Sequence, residues 1–172
     1  MNKSHSFLIL SFLIVFASMA TNRSCTAQTT QQKQIWAKSF LGQKAPPIVV
    51  EGWINKPANT KGKYVLVDIW ATGCNSCKKL VPELNYWQKE FKGQLIIIGI
   101  STESKEKVQP FTEENIEYAS GYDTQARMKY ALKVTGIPHV IIINPEGIVI
   151  WEGYPGLPED KLTSEVIEKL IK

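Results

Sequence analysis

An α/β fold follows from three features of the sequence. Apolar, β-branched runs alternate with segments of helical period; two of those runs are almost unbroken by polar residues; and the last two strands are joined by a tight turn. Tyr64-Val-Leu-Val-Asp-Ile-Trp70 and Leu95 to Ile100 have the composition of strands covered on both faces by helices. Between them Leu80, Leu84, Trp87 and Phe91 recur at four, three and four residues, which is one face of a helix. Such alternation argues for a parallel sheet, and Asn144-Pro-Glu-Gly147 argues for a terminal hairpin that adds an antiparallel edge.

Taken in order, Ile48 to Trp53 reads as a first strand, followed by the turn residues KPANTKGK and the central strand 64–70. A helix starts at Asn75, contains Pro82 and ends at Gly93. After the strand at 95–100 come a helix over Ser104 to Glu114, a short strand near Glu117 to Ser120 and a helix over Thr124 to Leu132. Val140 to Ile143 and Ile148 to Trp151 form the hairpin. A helix from about Pro158 closes the chain, its apolar face being Leu162, Val166, Ile167 and Leu170. Nothing between residues 45 and 172 marks a second domain.

The amino terminus points to export. Lys3 precedes an apolar run, Phe7 to Ala20, that is too short to span a bilayer comfortably and fits a secretory signal. Cleavage fits after Ala20 or after Ala27, and the second is preferred because small residues precede the cut; an uncleaved anchor is the alternative. Asn22-Arg23-Ser24 is a poor setting for a lipid-modified Cys25. Cleavage after Ala27 leaves 145 residues, enough for one full core, with 18 basic against 16 acidic residues. That balance is too even to argue for nucleic acid or an anionic membrane surface. The expected organisation is a signal peptide at 1–27, a flexible polar leader at 28–40 and one domain at 41–172.

Only Cys74 and Cys77 then remain, too few for a disulfide-stapled scaffold. They sit in WATGCNSCKKLVPEL, at a strand-to-helix junction, where α/β sheets place their sites. Three residues of helix put both thiols on one face, within the Cα separation of about 4.4–6.8 Å that a disulfide needs. The unpaired N–H groups and dipole at the helix start favour the first cysteine as thiolate, by about 0.3–1 kcal/mol when exposed and up to about 2 when partly buried. Cys74 is therefore the expected attacker and Cys77 the resolver. A closed zinc site is short of a ligand, since His139 is the one histidine left beside two cysteines.

The segment KGKYVLVDIWATGCNSCKKLVPEL, Lys61 to Leu84, resembles the active-site region of thioredoxin-fold proteins. Within them it is most similar to the exported TlpA/ResA-like thiol–disulfide oxidoreductases, from about Leu41 to the carboxyl terminus. The resemblance implies a thioredoxin fold: a central mixed sheet flanked by helices, with an extra βα insertion around Leu95 to Ser120. It makes Pro138, in Thr135-Gly136-Ile137-Pro138, a cis-proline facing the cysteines, with the backbone of Ile137 offered to substrate. It assigns Asp68 as a buried proton relay for Cys77 and sets Trp70 beside the thiols. Trp70, Gly73, Ile137 and Pro138 are the expected substrate contacts, with no metal and no cofactor.

The activity so implied is disulfide exchange with client proteins, in the reductive direction, supplied by an upstream thiol donor, membrane-bound or not. The setting implied is the periplasm or cell envelope. A thioredoxin-fold module that holds a client or a copper ion without turnover is the alternative. Three positions depart from the family pattern: Gly73 stands for a tryptophan, Leu80 for a glutamate, and Asn75-Ser76 for a pair that often contains proline. Gly73 is expected to leave Cys74 more open. His139, directly after Pro138, reads as a solvated loop histidine, the alternative being a place near the thiols where it would supply positive charge as pH falls.

Overall fold

The computed structural model describes residues 35–172; the segment assigned to a signal peptide, Cys25 and most of the expected leader lie outside the described residues. In chain order the elements are β1 (Gly52–Trp53), β2 (Tyr64–Trp70), α1 (Asn75–Glu90), β3 (Leu95–Ser101), α2 (Lys105–Asn115), β4 (Ala119–Tyr122), α3 (Arg127–Ala131), β5 (His139–Ile143), β6 (Val149–Gly153) and α4 (Ser164–Leu170). The six strands form one mixed sheet in the order β1-β4-β3-β2-β5-β6. β2, β3 and β4 run parallel, while β1 and the β5–β6 hairpin pair antiparallel at the two sides. This is the thioredoxin fold that the α/β pattern and the resemblance anticipate.

Strand residues alternate between the faces of the sheet. On one face Leu66, Trp70, Ile97, Tyr118, Val140 and Ile142 pack with Leu84 and Trp87 of α1, Val108 of α2 and Ile167 of α4. On the other, Val67, Ile69, Ile98, Ile100 and Ile141 pack with Met128 of α3 and Leu132 just beyond it. Burial on both faces explains why β2 and β3 read as continuous apolar runs. Full burial of one such side chain stabilises the fold by about 1.5–3 kcal/mol, so this two-faced core is the main favourable contribution.

Several boundaries differ from the sequence reading. β1 is only Gly52–Trp53, because pairing to β4 covers just those two residues. The closing helix starts later: Pro158–Asp160 is a single 3-10 turn, and α4 begins at Ser164, capped by the Thr163 hydroxyl on the Val166 N–H. Leu162 is buried but precedes α4 instead of lying on its face. His139 is no solvated loop residue; it opens β5, pairs in register with Ile69 and is 3% exposed. Within the stretch expected as leader, the Lys38 N–H donates to the Leu132 carbonyl and the Phe40 N–H to the Glu152 carboxylate.

Gly99 has a packing requirement. A Cβ at this position would stand 3.0 Å from both Trp70 Nε1 and Tyr118 Cε2, each ring fully enclosed by the core. Gly99→Ala should therefore cost about 1–3 kcal/mol through overpacking, read as a lower urea midpoint with unchanged slope. A midpoint equal to wild type would mean the two rings give way freely.

Candidate active site

The chain leaves β2 at Trp70 and turns once before α1. The Cys74 N–H donates to the Ala71 carbonyl at 3.1 Å, and Cys74 becomes the residue that caps α1, in extended conformation. Its sulfur accepts the Cys77 N–H at 3.1 Å, and the Ser76 hydroxyl lies 3.3 Å from the same sulfur. The two cysteines form a disulfide with their Cα atoms 5.2 Å apart. Cys74 is half-buried and Cys77 completely buried. The first sulfur thus meets solvent where orphan N–H groups favour negative charge, while the second is shielded one turn along.

The loop between α3 and β5 closes over the pair. Ile137-Pro138 is a cis peptide, and the Ile137 carbonyl oxygen lies 3.8 Å from Cys74 Sγ. Trp70, expected as a substrate contact, is instead 2% exposed and packs in the same core as Cys77, so it backs the thiols from within. Gly73 is exposed, with open space where a side chain would stand. Beside α1 a groove of about 520 Å³ opens at Ser76 and runs past Lys79, Leu80 and Glu83 towards Tyr154 and Lys161.

Asp68 lies on the face of β2 that carries Leu66 and Trp70, beside Gly99 of β3. It is almost wholly buried, and its Oδ1 has no hydrogen-bond partner among the described residues. Burial pushes its carboxyl from 3.8 up to about 8, so it holds a proton near neutrality. The Tyr118 phenol is raised too, by its own burial and then by the charge of Asp68.

One constraint on the turn escaped the sequence reading. Glu103, two residues past β3, accepts the Thr72 N–H at 2.6 Å and the Thr72 hydroxyl at 2.9 Å, and also the Ser101 hydroxyl at 3.2 Å. Lys107 pairs with it at 2.5 Å. Burial alone would raise the Glu103 carboxyl, but Lys107 and the bonds from Thr72 and Ser101 outweigh it and the net shift is downward. A charged carboxylate therefore clamps the residue two before Cys74. No local motif announces this contact across 31 residues.

A strand-to-helix CxxC turn with a capping, accessible first sulfur, a buried second sulfur and a cis-proline loop across from them defines a thioredoxin-type dithiol site, able to cycle between disulfide and dithiol. The chain belongs to the thioredoxin-like family, whose family model matches residues 62–149. It is 33% identical over 115 residues to the thiol-disulfide oxidoreductase ResA of Bacillus subtilis, covering 63% of this chain and 64% of that one, just under two thirds of the relative's length. The ResA of Bacillus thuringiensis is 28% identical over 141 residues, covering 78% of this chain and 79% of the relative. Among solved structures, a thiol:disulfide interchange protein from Bacteroides sp. superposes with a TM-score of 0.62 at 29% identity, over 76% of this chain and 90% of that one.

Glu103→Ala should leave the Thr72 N–H without its charged acceptor, costing about 1–3 kcal/mol. Amide exchange at Thr72 and Gly73 should quicken while exchange in the centre of β2 stays slow. Unaltered exchange at those two amides would show that the clamp does not hold the turn.

Proposed function

We propose that this chain is an exported protein thiol–disulfide oxidoreductase that reduces disulfides in client proteins. The observation that carries the reading is the asymmetry of the pair: Cys74 accessible at the α1 cap, Cys77 buried, and the Ile137 carbonyl beside the first sulfur. The names of the relatives point the same way.

In the reduced protein the Cys74 thiolate attacks one sulfur of a client disulfide. The Cys74–client bond forms as the client bond breaks, and the second client sulfur leaves as a thiolate that takes up a proton. Cys77 then loses its proton and attacks Cys74 Sγ, releasing the first client sulfur as a thiol. The client has gained two electrons and the domain has become the disulfide, to be reset by an upstream thiol donor. Asp68, in its ionised fraction, takes the Cys77 proton. Gly73, Ile137 and Pro138 form the client-facing rim, and Trp70 supports it from below.

Export rests on the apolar run after Lys3 and on the preferred cut after Ala27. Among the described residues no helix is long and apolar enough to cross a membrane. The alternative, a module that holds copper through the two thiols, needs a third ligand, and among the described residues no three His, Cys, Asp or Glu side chains gather in one place.

The purified protein should reduce insulin in the presence of a dithiol, Cys74→Ser should abolish this, and Cys77→Ser should accumulate mixed disulfides with clients. Inertness of the wild type together with tight Cu(I) binding would replace the enzyme reading by the binding one.

Asp68 gives a pH prediction. A carboxyl at 3.8 when unfolded and about 8 when folded binds its proton more tightly in the native state. Its contribution to stability is complete below about pH 4 and is lost progressively as pH rises to about 8. Asp68→Asn should flatten that decline and slow resolution of the mixed disulfide. Parallel stability profiles for the two proteins, with equal resolution rates, would remove Asp68 from both roles.

A further inference from the structure

Trp36 lies 38 residues before Cys74 in sequence, yet the fold brings it against the loop that faces the cysteines. Its carbonyl accepts the Thr135 N–H at 2.7 Å, the Gly136 N–H at 3.4 Å and the Thr135 hydroxyl at 3.1 Å. These bonds lay the residue along the loop that ends in Ile137-Pro138. The side chain covers Gly136 so closely that a Cβ there would stand 2.9 Å from Trp36 Cβ and 3.0 Å from Cγ. The indole meets the ring of Tyr154 edge-on, centroids 6.3 Å apart. It remains 40% exposed.

The position of a client is set by the chemistry of the site. Its cysteine must bond to Cys74 Sγ, which touches the carbonyl of Ile137, the neighbour of Gly136. In a mixed disulfide the two Cα atoms stand about 4.4–6.8 Å apart. An extended client chain then advances about 3.3 Å per residue, with alternate side chains on the same side. The side chain two residues from the client cysteine therefore faces the same surface as that cysteine, about 7 Å along, and the loop continues from Ile137 to Gly136, which the Trp36 side chain covers. Gly73 offers no apolar surface on the other flank.

We infer that Trp36, backed by Tyr154, is a specificity-determining residue that receives an apolar or aromatic side chain two positions from the reactive cysteine of an extended client segment. The inference rests on the thiol–disulfide reading above and deepens it by naming the class of client sequence.

The test uses the full protein with two disulfide-bearing peptides that differ only in carrying Phe or Ser two residues from the cysteine, and with a small aromatic disulfide as reference. Wild type should react with the Phe peptide at a KM lower by about tenfold, with similar kcat. Trp36→Ala should erase that difference by raising the KM for the Phe peptide, leaving the small disulfide unaffected, and Trp36→Phe should restore most of it. Equal KM values for the two peptides in wild type, a reading that needs no variant, would overturn the inference while the exchange activity stands. A loss in Trp36→Ala that falls equally on the small disulfide would also overturn it, as a purely structural role. Failure of wild type with all three substrates would instead bring down the thiol–disulfide reading and this inference with it.

Discussion

Seven consecutive pairs lock β2 to β3, from Tyr64 beside Leu95 to Trp70 beside Ser101. The geometry of the thiol site depends on that register. Side chains alternate with period two, so a slip of one residue would move Asp68 and Trp70 to the face of α3 and carry Val67 and Ile69 into the face of α1. The same register puts Gly99 beside Asp68, where the Trp70 and Tyr118 rings need the space a Cβ would take. It also ends β3 at Ser101, which places Glu103 within reach of Thr72. The turn before Cys74 is thus held by the neighbouring strand as well as by its own.

The two sulfurs are chemically unlike because the backbone makes them so. Cys74 is outside the helix and faces its free N–H groups; Cys77 is one turn in and wholly enclosed, packed in the core that holds Trp70 and Leu84. A nucleophile needs access and stabilised charge, whereas a resolving thiol needs to wait until its partner is engaged. Asp68 suits the second requirement. A carboxyl that titrates at about 8 is neutral often enough to sit in an apolar core and ionised often enough to accept a proton.

How much of this could be read from sequence depended on the distance over which each feature is determined. β2 was legible to the residue, and the start of α1, the CxxC pair and the hairpin were close, because local composition decides them. Pro138 was legible as a cis-proline through resemblance alone, since proline by itself favours trans. β1 and α4 came out shorter than their apolar patterns, because pairing and capping, not hydrophobicity, set their ends. His139 was misread because its neighbours Gly136 and Pro138 suggest a loop, although it is already paired to β2. Glu103 and Trp36 were missed because each acts across tens of residues. Gly99 did leave a signal: a lone glycine inside a strand marks a close approach of neighbouring groups.

The site divides by origin. The residues proposed to perform exchange, Asp68, Cys74 and Cys77, lie in one ten-residue stretch whose geometry follows from a strand, a turn and a helix start. The surfaces proposed to meet a partner come, Gly73 apart, from elsewhere: the loop 135–138, the segment at Trp36, Tyr154 after β6, and the groove between α1 and residues 154–162. The turn is fastened by Glu103 and the β2–β3 register and not by any bulk at position 73. The turn is therefore fastened beside Gly73 without a side chain at that position. The clamp holds the turn, the flank at Gly73 stays open, and in the proposed reading the selection of partners falls to residues distant from Cys74 in sequence.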